Sequence, residues 1–171
     1  MAVNSLVPEG FSEAERREIE AFLFLEAQLA DESRWEEWEE ILDDDMHYWV
    51  PAGDGEGDPN LDVSIINDNF SRLKTRLRQL RTGTRHSQAP KSVMRRMLSN
   101  IVLQRLSETT VQAEANFVLY EYQNQSTMKM NVWPGRTCYR IRRHGDRYKL
   151  YHKKVSLVMA SGNVPTMSFI I

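Results

Sequence analysis

The pattern of apolar and polar positions divides this chain into a helical first part and a strand-rich second part. Ser12-Glu13-Ala14-Glu15 has the form of a capping box, in which the serine oxygen accepts from the Glu15 amide and the glutamate reaches back. The helix that follows carries Ile19, Phe22, Leu23, Ala27 and Ala30 at helical spacing and should end near Ala30. Ser33-Arg34-Trp35-Glu36 repeats the capping signature. It opens a short helix with Trp35, Trp38, Ile41 and Leu42 on one stripe and glutamates around it. Met46–Val50 reads as a strand stopped by Pro51, and Ala52–Asn60 as a glycine- and acid-rich loop. A third helix is expected from about Leu61 to Leu80, on the stripe Ile66, Phe70, Leu73, Leu77 and Leu80, followed by a basic loop from Thr82 to Pro90.

After Pro90 the period shortens. Val93–Glu108 is one long strand-like segment. In the next, Val111, Ala113, Ala115, Phe117 and Leu119 alternate with polar residues. Met128–Arg143 follows, with a kink expected at Pro134-Gly135, then a turn at His144-Gly145-Asp146 and a strand from Tyr148 to Met159. Ser168–Ile171 is a short apolar tail. Helices first and long antiparallel strands afterwards make an α+β domain, in which a strongly curved sheet wraps the helices into a cone with an apolar pocket. The expectation is one domain over 1–171, with residues 1–11 as a loose lead-in.

Charge changes this picture in one respect. Nine acids and a single base lie between Asp31 and Asp45, whereas Ser71–Arg105 holds ten bases and no acid. The two stretches either face each other or solvent, or mark a nucleic acid, a charged ligand or a protein partner. Against nucleic acid, the basic stretch has no aromatics interleaved to stack on bases. No apolar run approaches the roughly 20 residues of a membrane-spanning helix. The first ten residues do not form a secretory signal, and one cysteine, Cys138, leaves no internal disulfide. These features point to the cytoplasm.

Candidate chemistry is sparse. His47, His86, His144 and His152 form no H-x-x-x-H pair, and no cysteine pair exists, so no metal or iron–sulfur site is expected in this chain. Cys138 lies in a strand-like run and reads as a packed thiol. No nucleophile elbow and no phosphate loop are present. General acid–base work in a cone pocket remains open to Asp45, His47, Tyr48 and Tyr120. The aromatic pair Trp35 and Trp38 reads as core or interface anchors.

Several blocks together resemble a known family. Phe22–Asp31 followed by Trp35-Glu36-Glu37-Trp38 is similar to the opening of the small (β) subunits of aromatic-ring-hydroxylating dioxygenases. Asp43–Pro51 resembles their D-D-x-x-Y-W-V-P block. Pro90, Ser92, Arg95, Arg96, Ser99, Asn100 and Ile101 fall on their P-x-S-R-x-R-x-x-S-N-V run. Glu114–Tyr120 and Gly135–Arg143 resemble the two strands after it. The matches are collinear from about residue 20 to 171. Val93, His86 and Leu157-Val158 depart from the family's usual Arg, Trp and Leu-Asp, which leaves the substrate group open.

The resemblance implies the cone fold of nuclear transport factor 2 and ketosteroid isomerase. It also implies a large α subunit carrying a Rieske [2Fe–2S] cluster and a mononuclear non-haem Fe(II), with electrons relayed from NAD(P)H by a reductase. An α3β3 hexamer with a trimer of small subunits is the implied assembly, with no nucleic acid and no membrane. The small subunit would be structural, with no catalytic, cofactor-binding or metal residues of its own. Trp35, Trp38, Trp49, Arg95, Arg96 and Trp133 are the expected subunit-interface residues. The contrasting expectation is a stand-alone isomerase or dehydratase of the same fold, using Asp45, His47 or a pocket tyrosine as acid or base.

Overall fold

A computed structural model describes residues 10–53, 57–82, 91–124, 128–162, 164, 167 and 169–171. The lead-in at 1–9, most of the basic loop with His86, and Pro90 lie outside the described residues. The elements run α1 (Glu13–Asp31), α2 (Trp35–Glu40), β1 (Leu42–Pro51), β2 (Ser64–Asn69), α3 (Phe70–Thr82), β3 (Val93–Arg105), β4 (Thr110–Tyr122), β5 (Met130–His144) and β6 (Arg147–Leu157). The strands form one curved sheet in the order β2-β1-β6-β5-β4-β3. All neighbours are antiparallel except β1 and β6. The helices fill the inner side, which makes the α+β cone expected from the sequence.

Helix α1 starts as its capping box predicts, with the Glu15 amide donating to Ser12 Oγ at 3.1 Å. Its end explains why the second capping signature fails. Ser33 adopts a left-handed φ of 56°, its amide donates to Ala30 O, and the Arg34 amide donates to Leu29 O. This is the Schellman closure of α1. Ser33 is consumed in ending one helix, so α2 begins at Trp35 with Arg34 in the N-cap position and no side-chain cap.

The expected helix from 61 to 80 is corrected at its start. Residues 64–69 are a strand paired antiparallel with β1, and the helix begins at Phe70. Ile65 and Ile66 are β-branched and suit a pleated surface, whereas Asn67, Asp68 and Asn69 are poor helix formers. Asn69 then ends the strand and caps the helix, its Oδ1 accepting from the Arg72 amide at 3.0 Å.

On β4 the inward positions are those the alternation gave, from Val111 to Leu119, and the series continues to a buried Glu121. The expected kink at Pro134-Gly135 is instead unbroken strand, paired on both sides. Gly135 is there for close approach: a Cβ would lie 2.6 Å from Ser156 O and 2.7 Å from the Phe117 ring. Gly135→Ala is therefore expected to cost about 1–3 kcal/mol through overpacking, measurable as a lowered urea midpoint.

Strand β3 is an edge, and its exposed backbone groups are managed by side chains. Asp31 accepts from the Arg96 amide at 2.7 Å, and Arg95 Nη1 donates to Met94 O at 2.7 Å. A bulge between Ser99 and Val102 bends the strand, with Asn100 left-handed at φ 53°.

Candidate functional site

The interior of the cone is where a fold of this shape would keep its chemistry, and it holds charge. Glu26 stands on the apolar face of α1, and Lys153 points inward from β6. Both are fully buried. Lys153 Nζ donates to Glu26 Oε1 at 2.7 Å, and Trp38 Nε1 donates to the same oxygen at 2.8 Å. Glu26 Oε2 has no partner among the described residues. Burial alone would push the Glu26 carboxyl up. The charges of Lys153 and Arg96 and the two hydrogen bonds outweigh it and hold the group below the ordinary carboxylate range. Burial draws the Lys153 ammonium down, opposed by Glu26. The flanking phenols of Tyr48 and Tyr139 are pushed well above the usual range, first by burial.

Residues 169–171 close this interior. The Ile171 amide donates to the Tyr48 hydroxyl at 3.2 Å, and that hydroxyl lies 3.3 Å from Ile171 O. Arg96 donates from Nη2 to Ile170 O at 3.0 Å while its Nε holds Asp31 at 2.7 Å. The Phe169 ring sits edge-on to Trp133 at 5.7 Å, and Trp133 Nε1 donates to Glu121 Oε2 at 3.1 Å. Phe169, Ile170 and Ile171 are all buried. Residues 169–171 thus occupy the interior of the cone against Tyr48, Arg96 and Trp133.

The four candidate acid–base residues do not meet inside the cone; Asp45 and His47 share an open outer concavity, Tyr48 is inside and Tyr120 lies elsewhere on the outer face. Asp45 is exposed and pairs with Arg142 at 3.0 Å. His47 is half-buried on the outer side, its Nε2 2.8 Å from Asn67 Oδ1 and its ring 5.3 Å from that of His152. Tyr48 is inside, and Tyr120 is exposed on the outer side of the sheet. Asp44, Asp45, His47, Pro59 and Asn60 line an open concavity of about 630 Å³. Among the described residues, no group of three or more His, Cys, Asp or Glu is placed to hold a metal. Burial, then the Glu114 charge, raises the pKa of the Cys138 thiol, which does not favour a nucleophile.

His152 gives a pH-dependent term. Burial first, then the charges of Arg140, His47 and Lys154, push its imidazole down to about 4. The unfolded value is near ~6.5, so the stabilisation from neutral His152 is complete above that pH and is lost as pH falls towards 4. His152 ring protons are expected to titrate near pH 4 by NMR, and His152→Gln should flatten the decline of unfolding free energy between pH 6.5 and 4.

The charge asymmetry is largely absorbed within the fold. Arg81 reaches Glu36 at 3.0 Å and Glu39 at 2.5 Å, and Arg96 holds Asp31. The acidic and basic stretches do face each other. A different surface stands out. On the outer side of the sheet, cross-strand partners form three consecutive rows: Val93–Tyr122–Met130, Arg95–Tyr120–Val132 and Met97–Val118–Pro134. Arg95 is the single charged side chain in the nine positions, and the polar row Ser99–Asn116–Arg136 begins beyond them.

Comparison with known proteins identifies the chain. The family model for the ring hydroxylating beta subunit matches residues 25–161. This chain belongs to that family. The β subunit is 29% identical over 144 residues to the small oxygenase component of the p-cumate 2,3-dioxygenase system of Pseudomonas putida, covering 83% of this chain and 78% of that protein. In structure it matches the β subunit of benzoate 1,2-dioxygenase from Burkholderia mallei with a TM-score of 0.71 at 23% identity, covering 87% and 92% of the two chains. A chain of naphthalene 1,2-dioxygenase with indole bound in its active site matches with a TM-score of 0.79 at 17% identity, covering 95% and 89%. The fold is that of the nuclear transport factor 2-like proteins. A β subunit of a ring-hydroxylating dioxygenase associates with a larger α oxygenase subunit. No helix among the described residues of this one is long and apolar enough to cross a membrane.

The side chains expected at the β subunit's interfaces sit in two different settings. Trp35, Trp38, Trp49 and Trp133 are buried in its own fold. Trp49 Nε1 donates to Ser64 Oγ at 2.9 Å under the Lys154 ammonium. Arg96 is enclosed with Asp31. Arg95 alone of the six lies exposed, on the outer face beside the apolar rows. The interior pair Glu26–Lys153 was absent from the sequence-based candidates. Its signal was Glu26 standing on the buried face of α1 between Leu23 and Ala27.

Proposed function

We propose that this β subunit is a structural, non-catalytic member of the terminal oxygenase that hydroxylates an aromatic compound in a cytoplasmic catabolic route. Catalysis belongs to the α subunit, which carries the Rieske [2Fe–2S] cluster and the mononuclear non-haem iron, supplied with electrons from NAD(P)H through a reductase. The assembly is an α3β3 hexamer in which the small subunits form a trimeric base. The observation that carries the structural role is the filled cone: Phe169–Ile171 occupy the interior, and Tyr48 and Arg96 spend hydrogen bonds on them. Asp45 and His47 lie outside it, so among the described residues neither of these two candidates stands in an enclosed chamber.

The test is co-expression of the tagged chain with its large subunit, followed by the mass of the purified complex and its iron content. An iron-containing hetero-oligomer of equal stoichiometry, with no iron in the small subunit purified alone, supports the reading. A chain that captures no large subunit and turns over a small molecule on its own overturns it.

A further inference from the structure

We propose that His47 and His152, side by side on the outer face where β1 meets β6, form a two-imidazole site for a divalent transition ion of the Zn(II) and Cu(II) class. The site adds to the β-subunit reading without depending on it. The two histidines are far apart in the sequence and share no ligand spacing. The parallel pairing of β1 with β6 makes them register partners, so both side chains leave the same face of the sheet. Their ring centres are 5.3 Å apart, with the planes at 44°. Two imidazoles that hold one tetrahedral ion through bonds of about 2.1 Å have ring centres about 5 Å apart. The pair already stands at the spacing that one ion requires.

The surroundings of His47 orient it as a ligand. Its Nε2 lies 2.8 Å from Asn67 Oδ1, and Asn67 Nδ2 donates to Pro59 O at 2.5 Å. A carbonyl oxygen only accepts, so the bond to Pro59 fixes which end of the amide faces the ring. Nε2 of the neutral ring therefore carries the proton, and Nδ1 carries the lone pair. Metal-bound histidines have this arrangement: the second nitrogen donates to an oxygen that sets tautomer and ring orientation. Burial keeps the His152 imidazole neutral at pH 7, the form that binds a metal. His47 also lines the open concavity of about 630 Å³, which gives an ion a way in.

The neighbours select the class of ion. Arg140 and Lys154 flank His152 with positive charge. Arg140 Nε turns to Gln112 Oε1 on β4 at 3.1 Å, and the Lys154 ammonium lies over the Trp49 ring at 4.8 Å. Their charge opposes any dication, so nitrogen donors must supply the affinity. That excludes Mg(II) and Ca(II), which take oxygen, and favours ions that imidazole binds well. Asp45, two residues before His47, is held by Arg142. Among the described residues no third His, Cys, Asp or Glu joins the pair, so water completes the coordination. Fe(II) stands below Zn(II) and Cu(II) in affinity for such donors, which leaves the iron count of the isolated subunit unaffected. A bound ion would fasten β1 to β6, the one parallel seam of the sheet.

Titration of the untagged subunit with zinc chloride at pH 7 tests this, followed by NMR of the histidine ring protons and by the thermal midpoint. The ring signals of His47 and His152 are expected to respond together and saturate at one ion per chain. The midpoint should rise with zinc, because an ion that binds only the folded chain stabilises it. His47→Gln and His152→Gln are each expected to weaken zinc binding by about tenfold or more and to abolish the rise. His144→Gln removes the imidazole beside Asp43 and is expected to bind zinc as the wild type does. The wild-type titration decides the matter even if a variant fails to fold. No response at millimolar zinc, a response of one histidine without the other, or binding that survives both variants and is lost in His144→Gln overturns the proposal. Capture of the large subunit, on which the functional reading turns, is untouched by any of these results.

Discussion

Replacing Lys153 with methionine is expected to cost the isolated subunit about 3–5 kcal/mol, the usual penalty for leaving a buried charge without its partner. That is a large share of a net stability of about 5–15 kcal/mol. In the wild type Glu26 Oε1 receives the ammonium at 2.7 Å and the Trp38 indole at 2.8 Å, with both charged groups out of solvent. Without the ammonium, burial acts on the carboxyl with less opposition, and Glu26 takes up a proton at a higher pH. The pH dependence of this term should therefore reverse. In the wild type the Glu26 pKa lies below its unfolded value, so its contribution is complete above the unfolded pKa and is lost as pH falls through the folded one. In the variant the folded pKa lies above the unfolded value, and stability recovers as pH is lowered. Urea titrations followed by tryptophan fluorescence, from neutral pH down to pH 3, cover both windows. The double variant Glu26→Leu with Lys153→Met is the control, expected to fall near the wild type because an apolar pair replaces an ionic one. A single variant within about 1 kcal/mol of the wild type, the range of a surface pair, would mean the pair is not the buried charge couple described above.

Removing Phe169, Ile170 and Ile171 is expected to have an effect at least as large. Each side chain returns about 1.5–3 kcal/mol of burial to solvent. Arg96 and Tyr48 also lose partners inside the cone. The sum is comparable with the whole net stability, so the truncated subunit should lose its near-ultraviolet circular dichroism and bind the dye ANS, as a chain with its core laid open does. Tyr48→Phe separates the two contributions: it removes only the hydroxyl contacts and is expected to cost about 1 kcal/mol. A truncated chain with the wild-type urea midpoint would show that the tail merely covers the cone.

Local order was legible where a segment's pattern matched one period. The alternation from Val111 to Leu119 placed β4, and the capping box placed α1. Residues 61–69 misled because Ile66, Phe70 and Leu73 also fit a helical stripe. The competing signals, the β-branched pair at Ile65-Ile66 and the capping Asn69, lie inside that stripe. The interior was harder to read. Glu26 and Lys153 are 127 positions apart, and each is visible only as a charge in an apolar series. Tyr48 and the tail are 123 apart, so the tail could be read as apolar but not assigned a destination. The tryptophans were read as anchors without deciding between core and interface, since an aromatic stripe suits both.

The parallel pairing of β1 with β6 sets a timetable for biosynthesis. Leu42 pairs with Leu150, and His47 with His152, so the strand that follows the first two helices waits for one of the last to be made. Until then the nascent chain has β1 joined on one side to β2, with the apolar stripe of α1 and the acid Glu26 on it uncovered. Contacts this far apart in sequence slow folding, because the intervening loop must close before they reward it. A ribosome-bound chain released before β6 would expose an open strand and an unsheltered core, a state prone to aggregation. Chaperone supply should thus govern the yield of the small subunit more than that of a protein whose early strands pair only with each other.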